Sequence, residues 1–193
     1  MRKLNKLLFI AIFSIVIATP IIRYKLKAQS YVDSLSSGVI LEATQRLKGS
    51  TLENTKILLV DYLPMGSTGV VLSTPMEDDD GRLAQGERKH SGRKDVLYWG
   101  GPVAQSHLFW LAYQPETGSI NLVGNKSALT VDVNPTIITR FTGYTGWGEN
   151  QLQMEVRRGD WRVFQADRHQ ISLWLLANNL TNNSKPGSEQ NIE

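Results

Sequence analysis

The stretch that decides the fold is GYTGWGENQLQMEVRRGDW, residues 143–161. Its middle predicts a helix over residues 149–158, because an acidic residue stands at the start and two arginines stand at the end, where each charge complements the helix dipole. Gly159 follows as the residue that ends a helix in a left-handed conformation. Residues 161–165, WRVFQ, then return as a predicted strand.

Short apolar runs bounded by turn residues predict further strands before this stretch. They cover residues 38–42, 56–61, 69–73, 96–99, 107–113, 119–123, 128–133 and 136–141. The separator QPETG, residues 114–118, suits a hairpin loop, because proline favours the start of a turn and glycine its end. A second apolar helix is predicted over residues 171–177. Strands that come first and helices that come late indicate an α+β fold.

The length of 193 residues fits one domain with a short appendage. The pattern divides the chain into an N-terminal hydrophobic segment over residues 1–30, a linker over 31–37, a single compact domain over 38–180 and a disordered tail over 181–193. Residues 29–37 suit either a polar linker or a continuation of the N-terminal helix. The tail is rich in Asn, Ser, Lys and Glu and holds almost no apolar residue. Residues 74–94 are strongly charged and predict either a mobile surface loop or the remnant of a helix.

The N-terminal segment contains an uncharged run, Leu7–Ile22, between two clusters of three basic residues. As a helix the run spans about 24 Å, slightly less than a hydrocarbon core of about 30 Å, and the flanking basic side chains can snorkel to extend it. It predicts a single-pass signal-anchor in a membrane, with the domain outside the cytoplasm. The alternatives are a cleaved signal peptide, which would release an exported domain, and a buried or interfacial helix.

Several classes of chemistry are excluded or unsupported. The chain holds no cysteine, which excludes disulfides, thiolate metal sites and cysteine nucleophiles. It lacks nucleophile-elbow, phosphate-loop and dinucleotide motifs, so no catalytic residue and no cofactor is assigned. The acidic run Asp78–Asp80 lacks the spacing of a calcium loop and the three histidines form no metal-binding pattern, so no metal site is predicted. The net charge is only +3, and the basic run 88–94 lacks interleaved aromatic residues, so no nucleic-acid partner is expected.

Three glycine-containing motifs stand in order along the chain: GSTGVVLSTP at residues 66–75, LYWGGPV at 97–103 and GYTGWGENQLQME at 143–155. They are similar to G-x-x-G-L-V-I-N-x-P, v-y-x-G-G-P-V and G-Y-a-G-W-x-x-G-Q-L-E-x-E of the YqgE/AlgH family of bacterial proteins, and Trp161 follows the third motif at the usual distance. The chain resembles a divergent member, because it adds a membrane segment and has a charged stretch where the family has a helix.

The resemblance implies a single compact α+β domain with a bent, partly barrel-like mixed β-sheet and a few helices, here preceded by the N-terminal hydrophobic helix. It implies no catalytic residue or cofactor, because none is established for the family. The family name refers to a proposed role in regulating alginate production. That role gives a transcription-related regulator as a weaker functional hypothesis.

The candidate site residues come from the second and third motifs and the following tryptophan: Gly100, Gly101, Pro102, Gly143, Tyr144, Gly146, Trp147, Gln151, Glu155 and Trp161. One interpretation is a binding patch, because Trp147, Gln151 and Glu155 are spaced four apart and would share a helix face near free N–H groups. The other is structural: the glycines allow tight backbone geometry, the tryptophan packs, and the polar groups satisfy neighbours. The structural interpretation is favoured.

Two functional hypotheses follow. The preferred one is a membrane-anchored, non-enzymatic binding or accessory domain that contacts a protein partner or a larger membrane assembly. It rests on the membrane segment and on the lack of catalytic signatures. The alternative is a ligand-binding or hydrolytic domain, with its site where Gly100–Pro102 meets Gly143–Trp147.

Overall fold

The computed structural model describes residues 19–63, 65–72, 85–87, 94–129 and 136–180. The strands are β1 (Ile40–Ala43), β2 (Lys56–Leu63), β3 (Gly66–Val71), β4 (Gln85–Glu87), β5 (Lys94–Trp99), β6 (Val103–Gln114), β7 (Ser119–Val123), β8 (Ile137–Gly148) and β9 (Trp161–Phe164). The helices are α1 (residues 19–33), α2 (Gln151–Arg158) and α3 (Arg168–Leu180). Short 3₁₀ turns cover Gln45–Leu47 and Lys126–Ala128.

The described strands form one mixed sheet in the order β4-β5-β8-β3-β2-β1-β9, and β6 pairs with β8 and carries β7. All pairings are antiparallel except that of β5 with β8. The α+β class is therefore confirmed. Within the described residues β9 and β7 each pair with one strand only, so the sheet is open and the partly barrel-like closure implied by the resemblance does not occur.

Strand β8 joins the two halves of the sheet. Its first half lies between β5 and β6, and its second half, from Thr145 to Gly148, pairs with β3. The register of β6 against β8 shifts between Val103 and Leu108, so extra residues of β6 bulge out of the ladder there. The third sequence motif thus begins as strand, and only its end forms the helix α2.

The core lies on both faces of the layer formed by β1, β2 and β3. Alternate residues of β2 enter two different clusters: Ile57 and Leu59 pack toward α1 and α2, whereas Leu58 and Val60 pack toward β6 and α3. All four side chains are buried. Because both faces are covered, the strand appears in the sequence as a continuous apolar run rather than an alternating one.

Most predicted elements have a counterpart in the structure. Eight of the nine predicted strands are present, Gly159 ends α2 in the left-handed conformation with φ +88°, and Gln114–Gly118 forms the β6–β7 hairpin loop. Three differences stand out: β4 lies inside the expected charged loop, α3 is longer than predicted, and β8 continues through the glycines to Gly148. The predicted strand over 128–133 falls mostly outside the described residues.

The segment expected as a linker or a continued helix is helical as far as residue 33 and packs on the domain. Helix α1 runs to residue 33, and Val32 and Leu35 are buried in the core beside α2. Residues 31–37 are therefore part of the packed domain, because two apolar side chains hold them to the sheet. Among the helices in the described part of the chain, none is both long and apolar enough to cross a membrane. Most of the Leu7–Ile22 run, the Asp78–Asp80 run and the 181–193 tail lie outside the described residues.

Candidate functional site

The two glycine-rich motifs meet where the connection between β5 and β6 crosses β8. The Gly100 N–H donates to the carbonyl of Thr142 (2.8 Å), and the Gly100 carbonyl accepts from the N–H of Val71 (3.0 Å). The Thr145 hydroxyl also donates to this carbonyl (3.3 Å). The sequence-based expectation that these segments lie together agrees with this geometry.

The contact between the motifs is closed by backbone. A Cβ atom on Gly101 would lie 2.4 Å from Oγ1 of Thr145, and one on Gly143 would lie 2.6 Å from the carbonyl oxygens of Gly101 and Val103. Gly143 also has φ +66°, a conformation that favours glycine. The glycines permit this close approach, which leaves no space for a ligand between the two segments.

The carboxylate of Glu155 is the centre of a hydrogen-bond network. Its Oε2 accepts from the indole N–H groups of Trp147 (2.9 Å) and Trp161 (2.8 Å), and its Oε1 accepts from the amide of Gln151 (2.9 Å). The two indole rings meet edge to face with centroids 6.0 Å apart. Both tryptophans are buried, so their N–H groups depend on this one acceptor residue.

The start of α2 is fixed by backbone geometry. Asn150 precedes the helix in the left-handed conformation, φ +59°, and makes no side-chain capping bond. Instead the side-chain oxygen of Gln151 accepts the N–H of Gly148 (3.0 Å). Of the residues predicted for a binding patch, Trp147, Gln151 and Glu155 are thus brought together, but their polar groups bind one another.

An open depression of about 470 Å³ lies beside this network, between the β2–β3 hairpin and the start of β6. It is lined by Asp61, Leu63, Met65, Gly66, Ser67, Thr68, Val103, Tyr144, Gly146 and Trp147. Three of the predicted site residues, Tyr144, Gly146 and Trp147, therefore face it. Gly100–Pro102, Gly143, Gln151, Glu155 and Trp161 are not part of its lining.

The rim of the depression is apolar and its wall carries an acid. Leu63 is 59% exposed and Met65 is 83% exposed at the tip of the β2–β3 hairpin, and Val103 also lines the depression. Asp61 is exposed in the wall. Sequence reasoning missed these residues. The signal was the DYLPMG stretch, 61–66, where large apolar residues stand next to a proline and a glycine, a composition typical of an exposed turn.

A second, smaller cavity of about 230 Å³ separates α1 from the start of β9. Its walls include Tyr24, Lys27 and Tyr31 of α1 and Trp161 and Arg162 of β9. The Tyr24 hydroxyl donates to the carbonyl of Arg158 at the end of α2 (3.3 Å). In the part of the chain that the structure describes, no group of three or more histidine or acidic side chains is placed to hold a metal ion.

The architecture defines an α+β domain of a known fold. It is similar to the solution structure of the AlgH protein from Pseudomonas aeruginosa, with a TM-score of 0.50 at 19% identity over 78% of this chain and 95% of that chain. It is also similar to a crystal structure of a protein from Corynebacterium diphtheriae, with a TM-score of 0.51 at 17% identity over 71% and 79% of the two chains. At these identities the likeness shows the fold alone.

Sequence comparison identifies the family. The family model described as DUF179, AlgH-like, matches residues 40–178. A UPF0301 protein from Streptomyces avermitilis is 28% identical over 73% of this chain and 80% of its own length, and one from Cereibacter sphaeroides is 31% identical over 67% and 79%. The chain belongs to the AlgH-like family, which confirms the family that the three motifs indicated.

Proposed function

We propose that this chain is a membrane-attached binding domain that receives a protein partner in the depression beside the β2–β3 hairpin. The observation that carries the proposal is the exposed apolar rim of Leu63 and Met65 above the Asp61 carboxylate. Exposed apolar groups next to a charged group are typical of protein-binding surfaces, where methionine adapts to the shape of the partner. The Leu7–Ile22 run supplies the attachment, with the domain outside the cytoplasm.

The shape of the depression favours a protein over a small molecule. Small-molecule sites are concave and enclose most of their ligand, whereas this depression is open along one side and its most exposed residues stand on the rim. A partner that buries Leu63 and Met65 removes two apolar side chains from water, which contributes about 1.5–3 kcal/mol for each side chain that is fully buried. The acidic wall favours a basic residue of the partner at Asp61.

The geometry gives less support to a ligand-binding or hydrolytic site between the glycine motifs. The space there is filled by backbone atoms, and a Cβ on Gly143 would approach two carbonyl oxygens at 2.6 Å. Both oxygens of the Glu155 carboxylate accept hydrogen bonds from neighbouring side chains. A general acid or base must instead reach the substrate with a free oxygen.

The test is site-specific photo-crosslinking of the full chain in its native membranes. A photo-crosslinking amino acid replaces Met65, and in a matched control it replaces Met154, which is 55% exposed on α2 and does not line the depression. The proposal expects one adduct of defined mass from position 65, none from position 154, and loss of the adduct when Asp61→Lys is added. The same adducts from both positions, or an adduct that persists with Asp61→Lys, would contradict it.

A further inference from the structure

Helix α1 contacts the domain very close to the end of the apolar run. Tyr24, whose hydroxyl donates to the Arg158 carbonyl, lies two residues after Ile22. At 1.5 Å per residue this is about 3 Å along a helix. The polar headgroup layer occupies about 5–8 Å on each side of the hydrocarbon core. If α1 continues into the membrane, the domain therefore begins within the headgroup layer, with no spacer between the two.

Two segments of the domain lie beside Tyr24 of α1, and a hydrogen bond joins them. The Thr44 hydroxyl donates to the Gly159 carbonyl (2.7 Å), which joins the first 3₁₀ turn to the end of α2. A Cβ atom on Gly159 would lie 3.2 Å from the Tyr24 hydroxyl and 3.7 Å from Cδ of Arg46. The turn after β1 and the end of α2 thus flank the same part of α1.

These three segments form a basic collar, which we define by its exposed side chains: Arg23, Lys25, Lys27, Arg46, Lys48, Arg157 and Arg158. Its central acid is Asp160, which is buried and binds Arg46 (3.2 Å) and Arg158. Both arginine side chains remain more than half exposed, at 58% and 56%. In the loop that follows the 3₁₀ turn, the Glu53 carboxylate accepts the N–H of Gly49 (2.7 Å). Asp33 on α1 and Glu155 on α2 are the other acids of these segments, so seven basic side chains stand against four acids and the collar is positive.

We infer that the basic collar binds the headgroups of anionic phospholipids and holds the domain flat against the membrane surface. The inference rests on the membrane attachment in the proposed function and adds the lipid class and the face of the domain that meets it. Basic residues next to an anionic membrane contribute about 1 kcal/mol each. The sequence supplies three of them beside the apolar run, and the fold adds four that lie far away along the chain.

The position of the collar is tested with spin labels on the full chain in lipid nanodiscs. Because the chain has no cysteine, Lys48→Cys and Thr117→Cys each give a single labelling site. Thr117 is exposed in the β6–β7 loop, near Arg168 and thus at the far end of β9 from Arg158. The inference expects oxygen accessibility typical of the headgroup layer at position 48 and aqueous accessibility at position 117. If the chain stays in the bilayer but both positions show aqueous accessibility, the contact of the collar with lipid headgroups is refuted, while the membrane attachment in the proposed function still holds.

The lipid class is tested by the association of spin-labelled phosphatidylglycerol relative to phosphatidylcholine in the same nanodiscs. Arg157→Gln is expected to lower this ratio up to about fivefold, which corresponds to about 1 kcal/mol for one basic residue. Lys126→Gln is the matched control, because Lys126 follows β7, which packs on the opposite face of the β1–β2–β3 layer from α1. Equal ratios for both variants and the parent chain would overturn the lipid preference. A chain that washes off the bilayer at alkaline pH would overturn the attachment itself.

Discussion

Replacement of Glu155 by methionine should destabilise the domain by removing the acceptor of two buried indole N–H groups. Trp147 is 5% exposed and Trp161 is 2% exposed, so neither N–H can readily turn to water. An unsatisfied buried donor costs about 1–3 kcal/mol, which gives a range of about 2–6 kcal/mol for the pair. Because Glu155 itself is half-buried and water can partly enter, we expect about 3 kcal/mol, or a fall in Tm of about 6–12 °C.

Glu155→Gln is the matched control, because its side chain has the same shape and keeps one oxygen for the indoles. It loses the charge on the acceptor and the oxygen that accepts from the Gln151 amide, so we expect a cost of about 1–2 kcal/mol, still below that of the methionine variant. The assay is denaturant unfolding of the full chain in mild detergent, followed by near-ultraviolet circular dichroism. In a chain that already carries Trp161→Phe, one of the two indole donors is absent. Glu155→Met should therefore destabilise that chain by about 1–3 kcal/mol less than it destabilises the parent chain. Equal stabilities of the Met and Gln variants would refute the role of the carboxylate.

Three further predictions concern backbone geometry and pH. Gly143→Ala should unfold the domain or lower its free energy of unfolding by more than about 3 kcal/mol, because the added Cβ meets two carbonyl oxygens. Gly49→Ala is the control: Gly49 has φ +81° but open space around it, so the loss in the same unfolding assay should be only about 1 kcal/mol. Asn150 has φ +59°, a conformation that glycine adopts more easily than alanine. Asn150→Gly should therefore leave the stability unchanged or raise it, and Asn150→Ala should lower it by about 1 kcal/mol. An alanine variant that melts at a higher temperature than the glycine variant would contradict this prediction. Burial raises the pKa of Tyr98 to about 12, so the native state keeps a proton that the unfolded chain releases near its ordinary pKa of 10.0. The stability contributed by this group is therefore complete below pH 10.0 and is lost as pH rises toward 12. Tyr98→Phe should flatten that part of the curve of stability against pH, measured by urea unfolding.

The local elements were predictable because their signals lie within a few residues of one another. The two arginines at the end of residues 149–158 and the glycine that follows them specify a helix with a defined stop, and α2 ends at Arg158. The start was less well predicted, because Glu149 lies before the helix, which begins at Gln151. The hairpin loop at Gln114–Gly118 was predictable for the same reason. The extension of β8 to Gly148 was not, because glycine weakens a strand unless another backbone needs to approach it closely.

The candidate site was only partly predictable. The sequence placed Trp147, Gln151 and Glu155 in one group, but it treated them as one helix face, whereas Trp147 lies on β8 and reaches Glu155 across the turn at Asn150. The second indole, that of Trp161, approaches the same carboxylate from β9. Such a network depends on how a strand, a helix and another strand pack, which no local pattern records.

The sequence by itself determined the family, the α+β class and most of the strands, because motif order, apolar runs and turn residues are properties of neighbouring positions. Only the tertiary structure decided that the contact between the glycine motifs leaves no space for a ligand, and that Leu63 and Met65 stand exposed beside Asp61. It also decided which basic residues gather around Tyr24. The physical reason is that these arrangements join residues far apart in the chain, and their proximity follows from strand pairing and the burial of both faces of one layer.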